Sequence, residues 1–160
     1  MSLWLHVSVS DQVMSVYDDK RIVASYPICT AKKGVGEQMG SEMTPRGWHY
    51  IRAKIGDGQP VNSVLVGRRP TGEIYDDALH DDHPERDWIL TRIMWLCGLE
   101  PGKNRGGNVD TMRRYIYIHG TPPRRFAKRP SSHGCIGMQN EDLLALFEQA
   151  PLFTKLLIEA

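Results

Sequence analysis

Alternating apolar and polar positions open the chain. Leu3–Val9 sets Leu3, Leu5, Val7 and Val9 on one face, the period of a strand with one face buried. Gln12–Tyr17 repeats the pattern more briefly. Asp18-Asp19-Lys20 is a turn, and Arg21–Cys29 returns as the hairpin partner. Thr30–Gly40, with three glycines, reads as a mobile loop. Thr44-Pro45-Arg46-Gly47 reads as a turn leading into a strand over Trp48–Lys54. Val61–Gly67 is another strand, and Arg68–Asp87 lacks a period and reads as a long surface loop. Trp88–Leu96 is apolar almost throughout, as expected of a strand buried on both faces, with a short helix as its rival. Glu100–Asp110 is Gly- and Asn-rich loop. Tyr115–His119 alternates again, Ile116 and Ile118 against Tyr115, Tyr117 and His119.

One segment has helical period. Asn140 reads as its N-cap, Glu141 and Asp142 lie where the helix dipole favours negative charge, and Leu143, Leu144, Leu146 and Phe147 form its apolar stripe. Pro151 ends it, and Thr154–Ile158 is a closing strand. Many short strands and one clear helix predict a mainly β fold, a sandwich of two sheets, in one domain over residues 1–160.

Composition narrows the function more than the fold. The 160 residues are 41% hydrophobic and 24% charged, with a net charge of +1, so no global field draws the chain to nucleic acid or anionic lipid. No apolar run reaches the ~18 residues of a membrane span. Residues 1–10 lack the basic and apolar regions of a signal peptide, which leaves a cytoplasmic protein or a trimmed form. Three cysteines, Cys29, Cys97 and Cys135, leave at least one thiol free. Cys29 and Cys97 read as small buried hydrophobes, with a bridge between them the alternative.

The candidate chemistry is concentrated in Ser131-Ser132-His133-Gly134-Cys135-Ile136, preceded by Ile118-His119-Gly120-Thr121. A thiol reacts as thiolate, and at a free pKa of about 8.5 it needs a base beside it. His119, at a strand end, supplies one; His133 shares a face with Cys135 if that segment is extended. The amides of Gly134 and Cys135 are candidate oxyanion donors, and the Gly120 carbonyl can hold one imidazole nitrogen so that the other meets the thiol. Nucleophile, oriented base and oxyanion donors are the parts of acyl transfer. The bland alternative is an inert buried thiol with ordinary histidines. Zinc on His119, His133 and Cys135 is disfavoured because no paired ligand spacing is present. The Asp76, Asp77, His80, Asp81, Asp82 and His83 patch reads as a solvated loop. The run Arg124, Arg125, Lys128 and Arg129 reads as solvated too, or as a positive rim for substrate carboxylates.

His119-Gly120-Thr121 followed by Ser132-His133-Gly134-Cys135-Ile136 resembles the signature of the L,D-transpeptidase (YkuD-type) catalytic domain. Leu3–Thr30, the Thr44–Gly47 turn and Asn140–Phe147 are similar to its opening hairpins, its turn and the helix after its cysteine. The resemblance implies a two-sheet β-sandwich with the cysteine in a cleft beneath a mobile lid. It implies bacterial cell-wall chemistry sensitive to carbapenems. The diaminopimelate–D-alanine bond of a peptidoglycan stem peptide is cleaved through a thioester and passed to an amine: another stem peptide, a lipoprotein lysine, or water in its place. It assigns Cys135 as nucleophile, His119 as base, Gly120 as the orienting carbonyl and His133 as auxiliary, with Tyr117, Ser132, Arg124 and Arg125 as candidate substrate contacts. No metal and no cofactor are implied, and the implied compartment is the cell envelope or periplasm. One position departs. Many members have Arg or Asn two residues after the cysteine, where this chain has Gly137. Hydrolysis instead of transfer, and a non-catalytic wall-binding module, are the competing functions.

Overall fold

The computed structural model describes residues 2–160. Ten strands form one continuous sheet: β1 (Leu3–Ser8), β2 (Val13–Asp18), β3 (Arg21–Cys29), β4 (Gly47–Ile55), β5 (Ser63–Val66), β6 (Arg69–Ile74), β7 (Leu90–Gly98), β8 (Tyr117–Gly120), β9 (Ile136–Met138) and β10 (Lys155–Glu159). Their order is β4-β10-β1-β2-β3-β9-β8-β7-β5-β6, and β7 also pairs with β4. That extra pairing closes eight strands on themselves and leaves β5 and β6 as a hairpin attached to β7. The expected two-sheet sandwich is therefore replaced by a closed, barrel-like sheet. Closure pairs the edges that two separate sheets would leave open.

Strand alternation fills the interior. Leu5, Val7, Met14, Val16, Met94, Leu96, Ile118, Ile136, Leu156 and Ile158 meet in one core, with Leu3 and Val9 packed against it. The apolar run of β7 is explained by its two faces. Met94 and Leu96 point into the core, while Ile93 and Trp95 join Leu65 and Tyr117 in a second cluster.

Three short helices are α1 (Asp77–Asp82), α2 (Pro123–Phe126) and α3 (Asn140–Gln149). The segment expected as a loop over Arg68–Asp87 instead holds β6 and α1. Gly67 and Arg68 form a two-residue turn, with φ of 56° and 65°, as tight hairpins require. The acidic and histidine patch is α1: Asp76 caps it by accepting the Leu79 N–H at 2.8 Å, and His80 is buried against Tyr75 and Trp88. In α3, Leu143, Leu146 and Phe147 enter the core, but Asn140 is not the cap. Gln139 holds that position, and the Asn140 side chain binds Asn62 and Thr91, each at 2.7 Å, which pins α3 to β7. Cys29, Cys97 and Cys135 are all free thiols. No helix among the described residues is long and apolar enough to cross a membrane.

Candidate active site

The site is built on the parallel pair β8–β9, where Ile118 lies beside Ile136 and His119 beside Gly137. Alternation sends Ile118 and Ile136 into the core. Tyr117, His119 and, one residue before β9, Cys135 go to the opposite face, where they line a cavity of about 450 Å³. That volume suits a small peptide segment. Tyr115, expected in the strand, stands before it at φ 57° with its ring exposed.

His119 is only 4% exposed, and its Nδ1 lies 2.7 Å from the Gly120 carbonyl oxygen. A carbonyl only accepts, so Nδ1 holds the proton and Nε2 is left as the basic nitrogen. Burial lowers the His119 pKa, opposed by that carbonyl and by the charge of Asp87. Glycine at 120 has a packing reason: a Cβ would run into the Leu90 carbonyl and the Asn140 side chain.

The Cys135 thiol bonds to backbone. Its Sγ accepts the Tyr117 N–H at 3.2 Å and donates to the Tyr115 carbonyl at 3.4 Å. Burial pushes its pKa up to about 12; the Tyr117 N–H and Arg114 act against this, and Asp87 adds to it. Sequence reasoning expects an ionised sulfur. Burial instead acts against both charged forms, the thiolate and the imidazolium.

Residues 131–135 are bent and do not run as a strand, although His133 and Cys135 both line the cavity. His133 stands exposed at the rim, 3.7 Å from Asp87 and 4.0 Å from Glu42. Gly134 is at φ 125°, in backbone space that favours glycine, with Met43 O and Ile116 Cδ1 each 3.1 Å from where a Cβ would be. Ser132 pins this bend: its Oγ donates to Cys135 O at 2.6 Å and accepts the Gly134 N–H at 3.2 Å. The Gly134 amide, expected to be free for an oxyanion, is thus engaged. The Cys135 N–H has no protein acceptor among the described residues.

Arg68, Arg114 and Cys29 also line the cavity, and none of them was assigned to the site from the sequence. Arg68, at the hairpin tip, donates to Tyr117 Oη at 2.9 Å and stacks over the rings of Tyr115 and Trp95 at 4.7 and 4.9 Å. Its signal was the Gly67-Arg68 pair between two short runs with strand character. Arg114 lines the same cavity, and its hydrogen bonds go only to uncharged acceptors, Gly36 O, Ser41 Oγ and Met43 O. Neither arginine has a carboxylate partner among the described residues. Cys29 lines the cavity as well, 3.1 Å from Ser131 Oγ. No sequence pattern marked Arg114 or Cys29, because the fold alone brings them to the site.

The basic run is placed differently from expectation. Arg124 binds Asp81 at 2.9 Å and lies outside the Cys135 cavity; Arg125 lines it while holding the carbonyls of Pro84 and Arg86. Gly137 also has a local cause. A Cβ there would collide with Thr121 Oγ1, a buried hydroxyl without a partner among the described residues, so the slot has no room for Arg or Asn.

A family model described as the YkuD L,D-transpeptidase catalytic domain matches residues 2–158. Among solved structures, the chain is similar to an L,D-transpeptidase from Mycobacterium smegmatis (TM-score 0.58, 15% identity, 99% of this chain and 59% of that one). It is similar to one from Xylanimonas cellulosilytica (TM-score 0.56, 16%, 99% and 60%). It is also similar to L,D-transpeptidase 3 from Mycobacterium tuberculosis, which was solved with a faropenem-derived adduct (TM-score 0.60, 14%, 99% and 60%). At these identities the likeness is one of fold, and the chain spans about three fifths of each of these structures. No curated protein matches the chain closely enough to count as a relative.

Proposed function

The chain belongs to the L,D-transpeptidase (YkuD) catalytic-domain family, and from that membership we propose that it is a cysteine acyltransferase acting on peptidoglycan stem peptides. The observation that supports this most is that Cys135 and His119 line one cavity, with His119 Nδ1 tied to Gly120 O and Nε2 left as base. Rotation about the Cys135 χ1 frees Sγ from the Tyr115 carbonyl. Sγ attacks the carbonyl carbon of the diaminopimelate–D-alanine bond as Nε2 takes the thiol proton, so no free thiolate need accumulate. The developing oxyanion meets the Cys135 N–H. The C–N bond breaks, His119 returns the proton to the departing D-alanine amine, and a thioester remains. An acceptor amine gives a proton to His119, attacks the thioester and forms an amide, and the thiol is restored. Another stem peptide or a lipoprotein lysine would serve as acceptor. Such substrates would set the protein to work in the cell envelope.

Arg68 and Arg114 are the cations that would meet substrate carboxylates, in place of the residue that position 137 does not supply. Incubation with a carbapenem followed by intact-mass measurement tests the reading. One adduct is expected on the wild type and none on Cys135→Ser. An unmodified wild type, or equal labelling of both, would refute it. A tetrapeptide donor with an amine acceptor then separates transfer, which gives crosslinked product, from hydrolysis, which gives free tripeptide.

A further inference from the structure

The Cys135 N–H can meet an oxyanion only if its peptide unit is turned the right way, and that unit is held from outside the cavity. Gly134 O accepts a hydrogen bond from Thr44 Oγ1 at 3.0 Å, across ninety residues of sequence. Thr44 is fully buried and does not line the Cys135 cavity.

The neighbours of Thr44 settle the direction of that bond. The same hydroxyl oxygen lies 3.0 Å from the Ala31 N–H. An amide N–H only donates and a carbonyl only accepts, so the hydroxyl takes the Ala31 proton and gives its own to Gly134 O. The hydroxyl is also a fixed point. A β-branched side chain has few χ1 positions. The Thr44 N–H donates to Gly34 O, and Thr44 O accepts the Gly36 N–H, each at 2.9 Å. Ala31 is tied to the cysteine-bearing bend on both sides: the Ser132 N–H donates to Thr30 O and the Lys32 N–H to Ser132 O, each at 3.0 Å.

A trans peptide unit is planar, and its C=O and N–H point in opposite directions. Holding Gly134 O against Thr44 therefore turns the Cys135 N–H the other way, where no protein acceptor among the described residues meets it. The bond to the carbonyl also polarises the unit and strengthens its N–H as a donor. Ser132 does not duplicate this. Its Oγ holds Gly134 N–H and Cys135 O, which belong to the peptide units before and after. Gly134 permits wide backbone rotation, so without Thr44 little would stop the unit between them from turning over.

We propose that Thr44 is a positioning residue for acyl transfer: it aims the Cys135 N–H at the oxygen of the substrate carbonyl without touching substrate. The inference rests on the acyl-transfer reading above.

The test compares two reactions of Cys135 in the full chain. Acylation by a carbapenem builds an oxyanion. Alkylation by iodoacetamide does not: Sγ displaces iodide and the thiol proton goes to the base. Intact mass follows the first, and the mass of the Cys135 peptide follows the second. Thr44→Val keeps the shape and removes the hydroxyl. It should slow acylation about tenfold to a hundredfold, below the ~10²–10³ cost of losing an oxyanion donor outright, and change alkylation less than about twofold. Thr44→Ser restores the donor and should return acylation to within about threefold of wild type. Thr44→Ala is expected to behave as the valine variant does, and carries the comparison if the valine variant fails to fold. Equal slowing of both reactions would make Thr44 a support for the thiol or the fold and overturn the proposal. Acylation unchanged by loss of the hydroxyl would overturn it too, with the acyl-transfer reading left standing. A wild type that is alkylated at Cys135 but never acylated would sink that reading, and the role of Thr44 with it.

Discussion

Cys135 rests on the strand that carries its proposed base: the Tyr117 N–H donates to Sγ at 3.2 Å, two residues before His119 on β8. The thiol is held by backbone, and no hydrogen bond joins Sγ to His119 among the described residues. The proton must then pass to the one imidazole nitrogen without a partner. His119→Ala is therefore expected to slow acylation by a carbapenem about 10²–10⁴-fold. His133→Ala, at the exposed rim, should cost less than about tenfold. Time-resolved intact mass gives both rates, and the opposite ranking would move the base to His133.

The pH profile of acylation follows from the same pair. Burial lowers the His119 pKa from its ordinary 6.5, so the imidazole stays basic to a lower pH than a free one. Activity should fall only as pH drops through that lowered value. With the thiol pushed up to about 12, no increase from free thiolate should appear near its ordinary 9. Acylation rates from pH 5 to 9.5 check both. A rise centred near pH 9 would show a solvated thiol and contradict the buried one.

Much of this was legible in the chain. The period-two runs marked the strands of the barrel, and His119 and Cys135 were marked by chemistry. Closure was not legible, because β4 and β7 are paired by register and no residue pattern announces it. The three-residue β9 was too short to show a period, and its Gly137 hid it further. Asn140 was a sound N-cap by residue type, but tertiary bonds to Thr91 and Asn62 claimed its side chain. Arg124 and Arg125 showed as charge alone. Their partners, Asp81 and the carbonyls of Pro84 and Arg86, lie about forty residues away.

Arg68 is expected to hold donor substrate. Its planar guanidinium stacks on Tyr115 and Trp95 while one edge binds Tyr117 Oη, so free donors remain for a carboxylate. Arg68→Ala should raise the donor KM about tenfold with a smaller effect on kcat. Arg68→Lys keeps the charge and loses the planar fork, and should recover only part. Steady-state kinetics on both variants checks this, and an unchanged KM in Arg68→Ala would remove the assignment.

Gly137 is constrained by Thr121 and not by backbone strain. Gly137→Ala would press its methyl against Thr121 Oγ1, and overpacking of this kind costs about 1–3 kcal/mol. Thr121→Ala opens the slot and removes a buried hydroxyl that has no partner among the described residues. The double variant should therefore regain most of the loss, as a cycle of four urea melts would measure. Additive losses would place the constraint elsewhere.

His49 should make the fold acid-sensitive. It is fully buried, with Nδ1 2.9 Å from Gly47 O and Nε2 2.9 Å from Thr111 Oγ1. Burial lowers its pKa from 6.5 to about 4, against the opposing pull of the Gly47 carbonyl and the Glu100 charge. The unfolded chain takes up a proton below pH 6.5, while the folded chain refuses it until about 4. Stability from this group is complete above 6.5, is lost as pH falls through that window, and is gone below it. The fall corresponds to about 3 kcal/mol. His119 has the same sign, so the readout is a difference: denaturation midpoints of wild type and His49→Gln between pH 7 and 4. The variant should start lower and lose less, and parallel curves would show that His49 takes its proton in the folded state as readily as in the unfolded one.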